Sequence, residues 1–325
     1  MKTPQRIVSL ISSATEILYL LGLGDRVVGV SHECDYPSDV AAKPRLTLSL
    51  VESAAASRAI DDQVRALAGE QSALYAIDVD RLAALAPDLI VTQAQCDVCA
   101  VRYEDVVTAV RDTPALRGTE VLALNPSSLM DVLDDINRVG EATAARPVAR
   151  EAVAKLESRI EQVRTKTRAL PPQRRPRVAC LEWIDPPMLA ANWTPEIVAI
   201  AGGDSGDSVK HGQHSAYADW KGIAEFDPRV VVIMPCGFDL ERTITEAQVL
   251  PSVAGWSELS AVREGRVFAV DGNAYFNRSG PRLVDSLEIL AHLFHPDLFA
   301  PPVAEPGRVW RRLLARGAAL VPEEA

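Results

Sequence analysis

The sequence predicts an α/β protein with two Rossmann-like lobes, each built on a mainly parallel sheet, joined by a single long helix. Three observations carry this. Short apolar, β-branched runs alternate with helix-type segments, the βαβα order of a parallel sheet covered on both faces. The alternation breaks at one long charged stretch and then restarts. And 325 residues is the length of about two domains of roughly 150 residues each. The divisions expected are an N-terminal lobe over 1–146, the connecting helix over 147–171, a C-terminal lobe over 172–299, and a linker with an amphipathic segment over 300–325.

The elements follow in order. Arg6 to Leu10 reads as a short buried strand. Ser12-Ser13-Ala14-Thr15-Glu16 offers cap chemistry to an apolar helix over Ile17 to Leu21, which Gly22 ends. Val27 to Val30 is a second strand; Leu82 to Leu85 closes a helix, Pro87-Asp88 turns the chain, and Leu89 to Val91 is a third strand. Glu104 to Arg111 is helical, Val121 to Leu124 a fourth strand, and Ser128 to Ala142 a helix. Val148 to Leu170 holds no Pro or Gly and stops at Pro171-Pro172; about 23 residues of helix span about 35 Å, enough to bridge two lobes.

In the second half, Arg177 to Leu181, Val230 to Ile233 and Val267 to Val270 are strands. Thr194 to Ala201, Trp220 to Phe226 and Arg282 to Phe294 are helices, the first ended by Gly202-Gly203. The halves share a helix, a Pro turn and a strand in that order: Leu85-Ala86-Pro87-Asp88-Leu89 against Phe226-Asp227-Pro228-Arg229-Val230.

The formal charge of −10 argues against nucleic acid or an anionic membrane as partner. No uncharged apolar run reaches the roughly 18 residues of a membrane span, so no membrane insertion is expected. Ile7 to Leu10 is too short for the core of an export signal, which reads as cytoplasmic. There is no Gly-x-Ser-x-Gly elbow and no Gly-x-x-x-x-Gly-Lys loop.

Ligands of open α/β sheets sit beyond the carboxyl ends of the strands. Two stretches there carry His32, Cys34, Cys96 and Cys99, residue types that suit Zn²⁺ and similar metals. The Cys96/Cys99 pair can also form a redox disulfide, and the thiols can be simple structural residues or line a cleft. A cytoplasmic metal-binding or thiol-redox protein is therefore the alternative reading. Tyr36, Trp183, Trp193, Tyr275 and Phe276 fall in loops after strands, where rings suit a large flat ligand, and Trp183 and Trp193 suit core packing equally well. His211 and His214 lie in a polar loop and can offer an imidazole to a metal-centred ligand.

Ser9-Leu10, Ala14-Thr15-Glu16-Ile17, Leu21-Gly22-Leu23-Gly24, Val28-Gly29-Val30-Ser31, Cys34-Asp35-Tyr36-Pro37 and the helix-Pro-Asp-strand at Leu82 to Val91 come in a telling order. Ile184-Asp185-Pro186-Pro187, Glu196-Ile197-Val198, Gly202-Gly203, Tyr275-Phe276-Asn277-Arg278 and Pro281-Arg282 follow. Together they resemble the cobalamin and iron-chelate binding proteins of ABC importers, closest to the cobalamin branch, over about residues 6 to 296.

The resemblance implies a ligand cleft between the lobes, binding without turnover, cobalamin or another corrinoid as bound ligand, and a periplasmic or extracytoplasmic place. It puts Tyr36, Tyr275 and Phe276 at the cleft, with Asn273 and Arg278 as polar contacts to amide or phosphate groups. A monomer is expected. It also implies docking on an ABC permease through one acid per lobe. Asp80 matches the first acid, while the second position falls on Lys221, which reverses the sign of that contact.

Overall fold

In the computed structural model the described residues are 3–69, 73–94, 98 and 100–323. The chain divides into two units. Unit 1 takes residues 1–126, 130–156 and 279–281; unit 2 takes 127–129, 157–278 and 282–325.

Unit 1 is built from β1 (Ile7–Ser9), α1 (Ser12–Leu20), β2 (Val27–Val30), β3 (Thr47–Ser49), α2 (Ser57–Gly69), β4 (Tyr75–Ile77), α3 (Val79–Ala84), β5 (Leu89–Gln93), α4 (Tyr103–Asp112), β6 (Glu120–Leu124) and most of α5 (Leu129–Ala142). Its main sheet has the order β2-β1-β5-β6 and is parallel throughout, with Ile7 opposite Leu89 and Ile90 opposite Val121. Val8, Leu10, Leu46, Leu82, Ile90 and Val106 close the core on one face. The separate β3–β4 pair and helix α2 lie where the sequence announced no element; strands of three residues are too short to show a period.

The expected long helix is α6 (Arg146–Thr167), 22 residues, beginning and ending a few residues earlier than its Pro stop suggested. Its residues up to Leu156 cluster with unit 1, and those from Glu157 with unit 2.

Unit 2 contains β7 (Val178–Trp183), β8 (Met188–Leu189), α7 (Thr194–Ile200), β9 (Ala216–Tyr217), α8 (Trp220–Phe226), β10 (Val230–Ile233), α9 (Leu240–Glu246), α10 (Ser260–Arg263), β11 (Val267–Val270), α11 (Leu283–Phe294), β12 (Trp310–Arg316) and β13 (Ala319–Pro322). The sheet order is β13-β12-β11-β10-β7-β8-β9. β7, β10 and β11 form its parallel centre, and antiparallel strands extend it on both sides. Residues 310–322, expected as part of a linker and amphipathic segment, are thus a β-hairpin. Trp310 and Leu313 look helical by spacing, but both pair with β11 and bury their side chains on the sheet.

Two helix ends are built alike. After α1, Leu23 N–H donates to Leu18 O and Gly22 N–H to Tyr19 O; after α7, Gly203 N–H donates to Val198 O and Gly202 N–H to Ala199 O. Both are Schellman closures, and Gly22 (φ +72°) and Gly202 (φ +86°) supply the left-handed residue they need. The helix–Pro–strand repeat is also structural, since Ala86 (φ +41°) and Asp227 (φ +46°) each precede the proline in the left-handed region. The expected cap on α1 is absent: Ile11 holds the N-cap position without a side-chain bond, and Ser12 Oγ donates instead to Glu33 O.

Candidate functional site

The carboxyl ends of β7, β10 and β11 in unit 2 gather most of the expected ligand residues. β7 ends at Trp183, whose ring lies 5.2 Å from that of Phe238 in the loop after β10. Arg242, in the first turn of α9, has its guanidinium over the Phe238 ring, 4.7 Å from its centre. Its guanidinium also bonds Glu246 at 3.0 Å. After β11 the chain makes one wide helical turn over Gly272–Phe276. Asp271 caps it, accepting from Ala274 N–H at 2.7 Å.

That turn is tied to the neighbouring loop. Asn273 N–H donates to Phe238 O at 3.0 Å, and Asn277 Nδ2 donates to Met234 O at 2.8 Å. Gly272 is demanded by close approach, because a Cβ there would stand 2.3 Å from Pro235 O. The tie fixes Tyr275, whose ring has the Arg282 guanidinium 5.4 Å from its centre.

Arg278 is 6% exposed, and its Nη2 donates to Asn273 Oδ1 at 3.1 Å. Asp271 is held above the ordinary carboxyl range by burial and by the nearby Asp239 charge, with Arg278 and Arg282 pulling the other way. Burial likewise raises Glu182, one residue before Trp183, whose carboxylate accepts from Ser215 Oγ at 2.6 Å.

Trp193 and Phe276 pack inward, the core alternative that the sequence left open for Trp193. They are 7% and 3% exposed, and the Trp193 indole N–H donates to Phe276 O at 3.0 Å. This bond ties the end of the turn that carries Tyr275 to the start of α7. Phe238, Arg242 and Glu182 are the residues sequence reasoning passed over. Positions five and nine residues beyond the predicted strand end at Ile233 were the only signal available for Phe238 and Arg242.

His211 Nε2 lies 3.1 Å from Glu196 Oε2, which also accepts from Leu129 N–H. His214 is exposed on the same segment.

In unit 1, Tyr36 is 50% exposed. The His32 ring nitrogen Nδ1 is 2.6 Å from Thr47 Oγ1, Nε2 is 3.1 Å from Glu33 Oε1, and the ring lies 5.5 Å from Tyr75. The Cys34 thiol points inward, 3.1 Å from Thr15 Oγ1, and is buried. Cys96 and Cys99 lie outside the described residues. Among the described residues no group of three His, Cys, Asp or Glu is placed to hold a metal ion. Cys180 is buried in β7, with its thiol pushed up to about 12 by burial.

Asp80 and Lys221 are equivalent positions of the two units. Each is the second residue of its helix, α3 or α8, behind an aspartate N-cap: Asp78 accepts from Arg81 N–H, and Asp219 from Gly222 N–H. Lys221 is exposed, 3.8 Å from Glu225.

Two α/β units, one of them gathering aromatic and cationic side chains at the carboxyl ends of its parallel strands, define the architecture of an α/β solute-binding protein. Residues 7–274 match the family described as periplasmic binding protein, and the chain belongs to that family. It is 26% identical over 299 residues to an uncharacterized ABC transporter substrate-binding lipoprotein, YvrC, of Bacillus subtilis, covering 92% of this chain and 82% of the relative. It is 25% identical over 292 residues to the vitamin B12-binding protein of Vibrio cholerae, covering 87% of each. The periplasmic heme-binding protein RhuT of Roseiflexus shares the fold with a TM-score of 0.65 at 23% identity, over 90% of this chain and 98% of that one. No helix among the described residues is long and apolar enough to cross a membrane.

Proposed function

We propose that the protein binds a metal chelate of the corrinoid type, without turning it over, and delivers it to an ABC permease outside the cytoplasm. The observation that carries this reading is the cluster at the strand ends of unit 2. Trp183, backed by the buried Phe238, and Tyr275 offer apolar ring surface to a macrocycle, and Asn273, Arg278 and Arg282 offer donors to amide or phosphate groups at its rim. The relative named for vitamin B12 favours a corrinoid among the chelates such a surface can take. In this reading Asp80 meets a basic residue on the permease, and the exposed Lys221 meets an acidic one.

The test is a titration of the purified protein with cyanocobalamin, followed by absorbance and tryptophan fluorescence, with hemin in parallel. Saturable cyanocobalamin binding with Kd of about 1 μM or tighter, about −8 kcal/mol, is expected. Saturable binding of hemin alone would move the assignment to another chelate, and binding of neither would overturn it.

A further inference from the structure

Unit 2 holds a cavity of about 310 Å³ that shares no residue with the cluster at the strand ends. It takes the first half of β7, where the cluster takes its end. For scale, an apolar cavity of about 150 Å³ already holds a benzene. A space twice that size is large enough for a ligand.

The residue types around it divide by depth. Val198, Ile223 and Phe226 supply apolar wall from α7 and α8. Ala190, Ala191 and Ala218 line it with side chains too small to fill it. The segment after Asp204 also lines it and is tied down at both ends: Val178 N–H donates to Asp204 O at 2.7 Å, and Asn192 N–H to Gln213 O at 2.7 Å. Lys210 and His214 of this segment line the space, both exposed to solvent. Among the described residues neither side chain has a hydrogen-bond or ion-pair partner. One acid, Asp219, also lines the space and caps α8, its Oδ1 accepting from Gly222 N–H.

We infer that this cavity is a second small-molecule site, taking an amphiphile with a short apolar body and an anionic head, of the medium-chain carboxylate class. The tail lies against Val198, Ile223 and Phe226, and the carboxylate meets Lys210 and His214. The inference stands independently of the corrinoid reading.

Octanoate is the probe, titrated calorimetrically into the full chain, with octanol and acetate as controls. One octanoate per chain is expected, binding more tightly than octanol, with acetate silent. Lys210→Gln should weaken octanoate about tenfold and leave octanol unchanged. Ala191→Leu should abolish binding of both while thermal unfolding shows an intact fold; if that variant does not fold, Ala218→Leu on another wall takes its place. Absence of saturable octanoate binding overturns the proposal. So does octanoate binding that survives a folded cavity-filling variant, or octanoate binding no more tightly than octanol.

Discussion

Arg6 and Arg177 hold the same position in the two units. Arg6 Nε donates to Leu85 O at 2.7 Å, and Arg177 Nε donates to Phe226 O at 2.8 Å. Both carbonyls belong to the residue two before the turn proline. Each arginine's own carbonyl then accepts from the residue after that proline: Asp88 N–H at 2.8 Å and Arg229 N–H at 2.8 Å. One side chain and one peptide therefore clamp the strained Ala86 and Asp227 turns from outside. Truncating either arginine leaves a carbonyl at a helix end without its donor. Arg6→Ala and Arg177→Ala should each cost about 1–2 kcal/mol in urea unfolding. Their effects should add, since the two sites share no partner.

Ligand binding should separate residues that face a ligand from residues that hold them. Tyr275→Ala removes ring surface and should weaken cyanocobalamin about tenfold with little change in stability. Phe276→Ala empties a buried position instead, at a cost of about 3 kcal/mol in stability. Its binding loss should shrink when the fold is rescued at low temperature. Tyr36→Ala in unit 1 is measured in the same titration. Equal binding by Tyr275→Ala and wild type would remove the unit 2 cluster from the site.

Much of this fold was legible because its signals are local. The run Val230–Ile233 is β-branched throughout and fully buried; Gly22 and Gly202 stop helices by a backbone angle that other residues avoid. The hairpin of β12 and β13 was not legible, because Trp310, Leu313 and Leu314 repeat at helical spacing and only pairing with Val267–Val270 decides otherwise. At the site, Tyr275, Asn273 and Arg278 could be named because they sit together in one stretch of chain. Phe238, Arg242 and Glu182 could not, since their roles depend on contacts with Trp183 and Ser215, which are distant in sequence.

Arg159 on α6 joins two carboxylates of α11. Its Nε and Nη2 bond Glu288 at 2.9 and 2.7 Å, and Nη2 also bonds Asp285. All three side chains are partly buried, and the two acids raise the arginine's hold on its proton. Arg159→Met leaves two half-buried carboxylates facing each other and should cost about 2 kcal/mol at neutral pH. Burial already raises Asp285 with the arginine present. Without it that acid should take up a proton more readily, so the loss should shrink on acidification. Adding Asp285→Asn should recover part of it. A loss independent of pH and of the second substitution would mean that Arg159 acts through packing alone.

Asp135 on α5 gives unit 1 a pH dependence of opposite sign to a usual salt bridge. Its carboxyl is buried, with Arg138 Nη1 at 2.6 Å from Oδ1, and Oδ2 has no partner among the described residues. Burial raises the carboxyl to about 6; Arg138 opposes this, while Asp131 and Asp134 add to it. A folded-state value above the unfolded one means that the folded chain binds more protons between the two values. Stability from this group therefore rises as pH falls from about 6 toward about 4, and the full cost of ionisation stands above about 6. Asp135→Asn keeps an oxygen for Arg138 and removes the charge. It should be more stable than wild type at pH 7.5 by up to about 3 kcal/mol, and the two should converge near pH 4. Urea unfolding of both proteins across that range measures the difference directly, with other titrating groups cancelling between them. A gap that stays constant with pH would show that Asp135 is not the group being titrated.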